Sequence, residues 1–202
     1  MAIKFLFLDI GNVMLNNGWD REGRQQAVEK FGLDAADLDE RHHLTFDTYE
    51  EGKISLDEYL RRIVFYKERD YTMEEFKNFM MQLSKPKPEM IELFKYLKEK
   101  HHLKLAVVNN EGRELNDYRI NKFGLVDFID FFISSCFVHI RKPDTDIFSL
   151  ALDIAHAKAD EVVYIDDRPM FVHVAQRMGL NGIVHTTIHD TKAKLAEYGL
   201  GE

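Results

Sequence analysis

Asp166 and Asp167 stand side by side at the end of an apolar run, Val162-Val163-Tyr164-Ile165. Adjacent carboxylates repel each other and are costly unless a cation or hydrogen-bond donors compensate them. A third carboxylate, Asp9, ends another short apolar run, Phe5-Leu6-Phe7-Leu8, and is followed by Ile10-Gly11-Asn12-Val13. One Asp would be enough to cap a helix starting near Pro169. A pair of them, with Asp9, makes a hard oxygen donor set for a metal such as Mg²⁺. Lys142, in Arg141-Lys142-Pro143-Asp144, lies at a loop-to-helix junction. Alone it reads as a solvated lysine; beside a carboxylate–metal site it would neutralise a phosphoryl oxygen, helped by amide donors of the helix N-terminus. Asn109, which with Asn110 follows Val107-Val108, is either a turn residue or a donor of amide hydrogens to another such oxygen.

Five segments, residues 4–8, 104–108, 131–134, 161–165 and 182–185, read as strands. The first, second and fourth are almost continuously apolar, as parallel strands covered on both faces are. Met90, Phe94 and Leu97 form one helical stripe between them, and Ile147, Phe148, Ala151 and Ile154 another. Pro86 and Pro88 precede the former, Pro143 and Asp144 the latter. Strands alternating with helices predict an α/β fold, a doubly wound parallel sheet of Rossmann-like type. Asp9, Asn109 and the Asp166–Asp167 pair then fall at carboxyl ends of strands, where such sheets place their ligands. Between about residues 16 and 85 only helical patterns occur, with stripes at Leu56, Leu60, Ile63 and Val64 and at Phe76, Phe79, Met80 and Leu83. The second stripe is opened by a capping box, Thr72-x-x-Glu75. The expected division is an α/β core of residues 1–15 and 86–202 with an all-helical inserted subdomain over residues 16–85.

The 202 residues carry a net charge of -8, which argues against a broad nucleic-acid or anionic-membrane surface but leaves room for a local phosphate pocket. Cys136 is the only cysteine, so there is no intrachain disulfide and no Cys-based zinc site. The apolar run that Asp9 cuts short is too brief for a signal-peptide core or a membrane span, so a soluble, cytoplasmic protein is expected. The pairs His42-His43 and His101-His102 are adjacent in sequence and do not converge on one metal from a helix or turn.

Four segments in this order and spacing resemble the haloacid dehalogenase-like (HAD) superfamily: Asp9-Ile10-Gly11-Asn12-Val13, Asn109-Asn110, Lys142-Pro143-Asp144 followed by Ile147-Phe148, and Asp166-Asp167. The helical insertion matches the position of that family's cap. Its stretch Thr48-Tyr49-Glu50-Glu51-Gly52-Lys53-Ile54-Ser55 looks like members near the sugar-1-phosphate phosphatases and the amino-terminal phosphatase of epoxide hydrolases. The resemblance implies a magnesium-dependent phosphatase acting on a small phosphorylated metabolite, a sugar 1-phosphate among the options, through an aspartyl-phosphate. Asp9 would be the nucleophile. Mg²⁺ would be held by Asp9, the Gly11 carbonyl, Asp166 and Asp167. Lys142, Asn109, Asn110 and Gly11 would bind the phosphate. Substrate choice would lie in the insertion, in side chains such as Trp19, Asp20, Arg24, His43, Phe46, Asp47 and Glu50.

Two departures stand out. The family's usual general acid, two residues after the nucleophile, is Gly11 here, and the hydroxyl of its second motif is Asn109. Loss of positioned acid–base catalysis is typically worth about 10²–10⁴-fold. An alternative is therefore a catalytically weak or silent member that binds a phosphorylated ligand or a partner protein. Asp47 or His43 could instead supply the proton. A 2-haloacid dehalogenase-type hydrolase is a third reading, which the acidic pair argues against because those enzymes need no metal. A receiver domain would carry the acidic pair after the first strand and the phosphorylated Asp after the third, the reverse of the order here. The sequence sets no oligomeric state; a monomer is compatible with it.

Overall fold

The computed structural model describes residues 2–201. Strands β1 (Phe5–Leu8), β2 (Lys104–Asn109), β3 (Phe131–Ser134), β4 (Val162–Asp166) and β5 (Asn181–Val184) form one sheet in the order β3-β2-β1-β4-β5. Every pairing is parallel, and Leu8 is level with both Val107 and Ile165. The apolar runs are continuous because both faces are covered: Leu6, Leu8, Val107 and Ile165 enter one core cluster, while Phe7, Ala106, Val108 and Tyr164 enter the other. Helices α6 (Pro88–His101), α7 (Arg113–Lys122), α8 (Ser135–Val138), α9 (Thr145–Ala155), α10 (Pro169–Arg177) and α11 (Ile188–Glu197) surround the sheet. Proline opens α6 and α10, and Asp144 caps α9 by accepting from the Asp146 amide at 3.0 Å. Chain order reverses across the sheet between β1 and β4, so the crevice beyond their carboxyl ends is the ligand position of such folds.

Between β1 and α6 the chain forms α1 (Arg21–Phe31), α2 (Ala35–His43), α3 (Phe46–Glu50), α4 (Leu56–Ile63) and α5 (Met73–Gln82). Their apolar faces, among them Tyr49, Tyr59, Leu60, Phe76 and Met80, share one cluster, and the Thr72–Glu75 capping box opens α5. The two connecting segments lie against each other: Asn16 N donates to the Lys85 carbonyl at 2.9 Å and Lys87 N to the Met14 carbonyl at 2.8 Å.

The helical insertion is also seated on the core. Leu115 of α7 packs into its cluster, and Glu114 accepts from the Leu56 amide at 2.9 Å at the start of α4. Gly112 lies directly under the Tyr49 ring, where a Cβ would come within 2.0 Å of ring carbons. Because Tyr49 is itself stacked on Tyr59 at 4.7 Å, the ring has little room to withdraw. Gly112→Ala is expected to cost about 1–3 kcal/mol and lower Tm by about 3–10 °C. Amide exchange should quicken across residues 46–64, ahead of the sheet, as the insertion lifts about the segments at 15–16 and 84–88. An unchanged Tm would show that this seat is not tight.

Candidate active site

The site is assembled by strand ends. Asp9 follows β1 and its amide donates to the Ile165 carbonyl at 2.9 Å, which ties it to β4. Asp166 ends β4, Asn109 ends β2, and Lys142 arrives from the loop before α9. Asp9, Asp166 and Asp167 each offer a carboxylate oxygen within 4.8 Å of the others. The completely buried ammonium of Lys142 donates to Asp9 Oδ1 at 2.8 Å, to Asp166 Oδ2 at 2.6 Å and to the Tyr164 hydroxyl at 3.0 Å. Tyr164 also donates to Asp166 Oδ2, and Asp166 Oδ1 accepts from the Arg168 amide at 2.7 Å. Asp166 thus serves the helix start with one oxygen while the other stays in the cluster. Asp167 accepts from Asn12 Nδ2 at 3.1 Å.

Electrostatics bear on what the cluster can hold. Burial pushes the Asp9 carboxyl up to about 7; Lys142 opposes this, and the Asp166 and Asp167 charges add to it. Burial alone would lower the Lys142 ammonium, but Asp9 and Asp166 raise it above its ordinary value. Burial raises Asp166 as well, yet Lys142, the Tyr164 hydroxyl and the Arg168 amide together leave that carboxyl below its usual range. Three clustered carboxylates, two of them buried, share one ammonium charge. The donors are hard oxygens with a deficit of positive charge, so the residues present fit a divalent cation.

The neighbouring residues divide into those that face the cavity and those that hold others in place. Asn110 accepts from Lys142 N at 2.8 Å and donates to the Lys142 carbonyl at 2.9 Å, so its side chain fixes the lysine's backbone. Asn109 donates to Asn116 Oδ1 at 3.0 Å, while Asn109 Oδ1 and Asn116 Nδ2 are buried without partners. Rotating both amides keeps their mutual bond and frees Asn109 Nδ2 from Asn116 Oδ1, as donation to a phosphate would require. A Cβ on Gly11 would stand 2.6 Å from Asn17 Oδ1 and 3.3 Å from Asp9 Oδ2. Asn17 therefore occupies the ground of a side chain at position 11, and glycine keeps the approach to Asp9 Oδ2 clear.

Above the cluster is a cavity of about 330 Å³, lined from the core by Asp9, Gly11, Asn109, Asn110, Lys142, Asp166 and Asp167. The insertion contributes Trp19, Asp20, Arg24, Phe46 and Glu50 to its lining, as the sequence suggested, and also His42. His43 and Asp47 are not among the lining residues. Adjacent helical positions diverge, so His42 turns inward to the Tyr59 hydroxyl at 2.6 Å and His43 does not; Asp47 is more than half exposed and ion-pairs with Arg141. Neither is placed to give a proton at Asp9. Sequence reasoning passed over Glu111, Arg119, Arg141 and Tyr164. Arg119 is buried, ion-paired to Glu111 and donating to the Asn16 carbonyl, while Arg141 ties Glu50 and Asp47 to the core. Among these only Glu111 carried a local signal, its place two residues after Asn109.

With this geometry the chain belongs to the haloacid dehalogenase-like hydrolase family, whose sequence profile it matches over residues 22–185. Asp9 lies ahead of the matched span and is brought to the site by β1. An alignment of 195 residues, 88% of this chain and 89% of the relative, shows 27% identity to D-ribitol-5-phosphate phosphatase of Bacteroides thetaiotaomicron. Bifunctional epoxide hydrolase 2 of Mus musculus is 33% identical over 104 residues, which is 50% of this chain and 18% of that enzyme. A HAD family enzyme of Bacteroides thetaiotaomicron, solved with magnesium and inorganic phosphate, has the same fold with a TM-score of 0.76 at 21% identity, covering 92% of this chain and 95% of its own. No helix of the described residues is long and apolar enough to cross a membrane.

Proposed function

We propose that this chain is a magnesium-dependent phosphoric monoester hydrolase acting on a small, polyhydroxylated phosphorylated metabolite, with the helical insertion as its cap. The observation that carries this reading is the convergence of Asp9, Lys142, Asp166 and Asp167 beneath one cavity. Relatives named for D-ribitol 5-phosphate and validoxylamine A 7'-phosphate support the ester class. Sugar 1-phosphates belong to the same class, and their acidic anomeric leaving group suits a site with glycine at position 11.

Lys142 holds Asp9 Oδ1, which leaves Asp9 Oδ2 beside Gly11 to attack phosphorus in line and form an aspartyl-phosphate that water then hydrolyses. Lys142 and Asn109 bind the phosphoryl oxygens. A magnesium ion held by Asp9, Asp166, Asp167 and the Gly11 carbonyl supplies Lewis-acid stabilisation of the phosphoryl charge when bound. Trp19, Arg24, His42 and Phe46 line the cavity on the insertion side and would contact the rest of the substrate, while closure excludes water.

The test is phosphate release from a hexose 1-phosphate, a hexose 6-phosphate, a pentitol 5-phosphate and an aryl phosphate, with Mg²⁺ and with excess chelator. Release from at least one ester, lost on chelation, is expected. Binding of these phosphates without turnover would favour the silent-member reading that Gly11 raised.

A further inference from the structure

Gly11 leaves the reaction without the usual proton donor, and Asn17, which fills that space, has no proton to give at neutral pH. Four other titratable groups that line the cavity lie outside the cluster of Asp9, Lys142, Asp166 and Asp167: Asp20, His42, Glu50 and Glu111. Asp20 is engaged as the N-cap of α1, accepting from Gly23 N at 2.9 Å. Burial lowers His42 to about 4, so its imidazole is neutral near pH 7. Glu50 gives one oxygen to two nitrogens of Arg141, at 3.1 and 2.5 Å, and feels Arg168 as well. Glu111 has a single cationic partner, Arg119, and follows Asn109-Asn110 directly.

Glu50 and Glu111 are joined through one hydroxyl. Ser135 Oγ donates to the Glu50 carbonyl at 2.6 Å and accepts from the Glu111 amide at 3.0 Å. That hydroxyl ties the two backbones together across the insertion and the core, and both side chains line the cavity, each ion-paired to an arginine. We propose that Glu111 is the general acid and base of this enzyme, with Glu50 the neighbouring acidic charge that acts on it. The proposal rests on the phosphatase reading above.

In the first step the Glu111 carboxyl gives its proton to the leaving oxygen as the P–O ester bond breaks and Asp9 bonds to phosphorus. In the second, the Glu111 carboxylate takes a proton from the attacking water, the P–O bond to Asp9 breaks, and inorganic phosphate leaves. The groups facing Glu111 are Arg119 from α7, Glu50 and Tyr49 from α3, Tyr59 from α4 and Cys136 from α8. Burial raises the Glu111 carboxyl to about 7; Arg119 opposes this and Glu50 adds to it, so both protonation states are populated near neutrality.

The experiment compares single-turnover and steady-state rates of the full chain with Mg²⁺ on an alkyl phosphate ester and an aryl phosphate ester. Glu111→Gln should slow the first step about 10²–10⁴-fold on the alkyl ester. On the aryl ester, whose leaving group needs no proton, it should show a stoichiometric burst of aryl alcohol followed by slow turnover. The alkaline limb of kcat/KM for the alkyl ester, where the general acid loses its proton, should vanish with it. Equal loss of the first step on both esters, or an unchanged alkyl rate and limb, overturns the proposal. If Glu111→Gln does not fold because Arg119 loses its charged partner, Glu50→Gln decides: removing that negative charge should move the limb to lower pH, and a limb that stays in place overturns the proposal. A wild type that releases phosphate from neither ester refutes the phosphatase reading itself.

Discussion

Asp9→Asn is expected to remove phosphate release, by about 10⁴-fold or more, because Asp9 is the cavity carboxylate at the end of β1 that the buried Lys142 ammonium orients through one oxygen. Lys142 fixes Asp9 Oδ1, and the space before Oδ2 is kept clear by Gly11. Asp166 is enclosed by Lys142, Tyr164 and the Arg168 amide, and Asp167 is tied to Asn12. Folding should survive. The substitution removes one of three crowded carboxylates, and Lys142 keeps Asp166 at 2.6 Å, so Tm should not fall. The measurement pairs phosphate release with a thermal melt. Wild-type turnover by a folded Asp9→Asn protein would show that another group attacks phosphorus.

Removing the metal should have the next largest effect. Excess chelator is expected to abolish turnover, and added Mg²⁺ to restore it. Asp167→Asn is the cleaner ligand variant, because Asp167 is held by a single side-chain hydrogen bond, from Asn12. It should raise the Mg²⁺ concentration needed for half activation by about tenfold or more, since even outer-shell partners are worth that much, with little change in Tm. Asp166→Asn should also weaken the metal and, unlike Asp9→Asn, lower Tm, because Asp166 is the nearer partner of the Lys142 ammonium and also accepts from the Tyr164 hydroxyl and the Arg168 amide. Full activity in chelator would remove the metal from the mechanism and revive halide displacement as the chemistry.

The strands and the four site segments were legible because their signals are local. Phe5–Leu8 and Val162–Asp166 announce themselves as apolar runs, and a carboxylate interrupting such a run has to lie at its end. Boundaries moved by about one residue: β4 extends to include Asp166, and β5 begins at Asn181 and ends at Val184, where residues 182–185 had been expected. Hydrogen bonding to the neighbouring strand, which no run of residues reveals, sets those ends. The short helix Ser135–Val138 carried no stripe long enough to read, yet its first residue supplies the hydroxyl between Glu50 and Glu111.

By itself, then, the sequence determined the parallel α/β class, the helical character of residues 16–85, the carboxylates at strand ends and the lysine ahead of a helix. Apolar period, proline, glycine and capping residues act within a few positions of one another. Only the tertiary structure decided which histidine faces the cavity, what stands in the space left by Gly11, and which acid shares the site. Those outcomes depend on pairs far apart in the chain: Arg119 with Asn16, Arg141 with Glu50, Ser135 with Glu50, and Tyr49 over Gly112. A carboxylate's proton affinity follows from what burial removes and which charges remain nearby, and for Glu111 both were set by the insertion folding back onto the core.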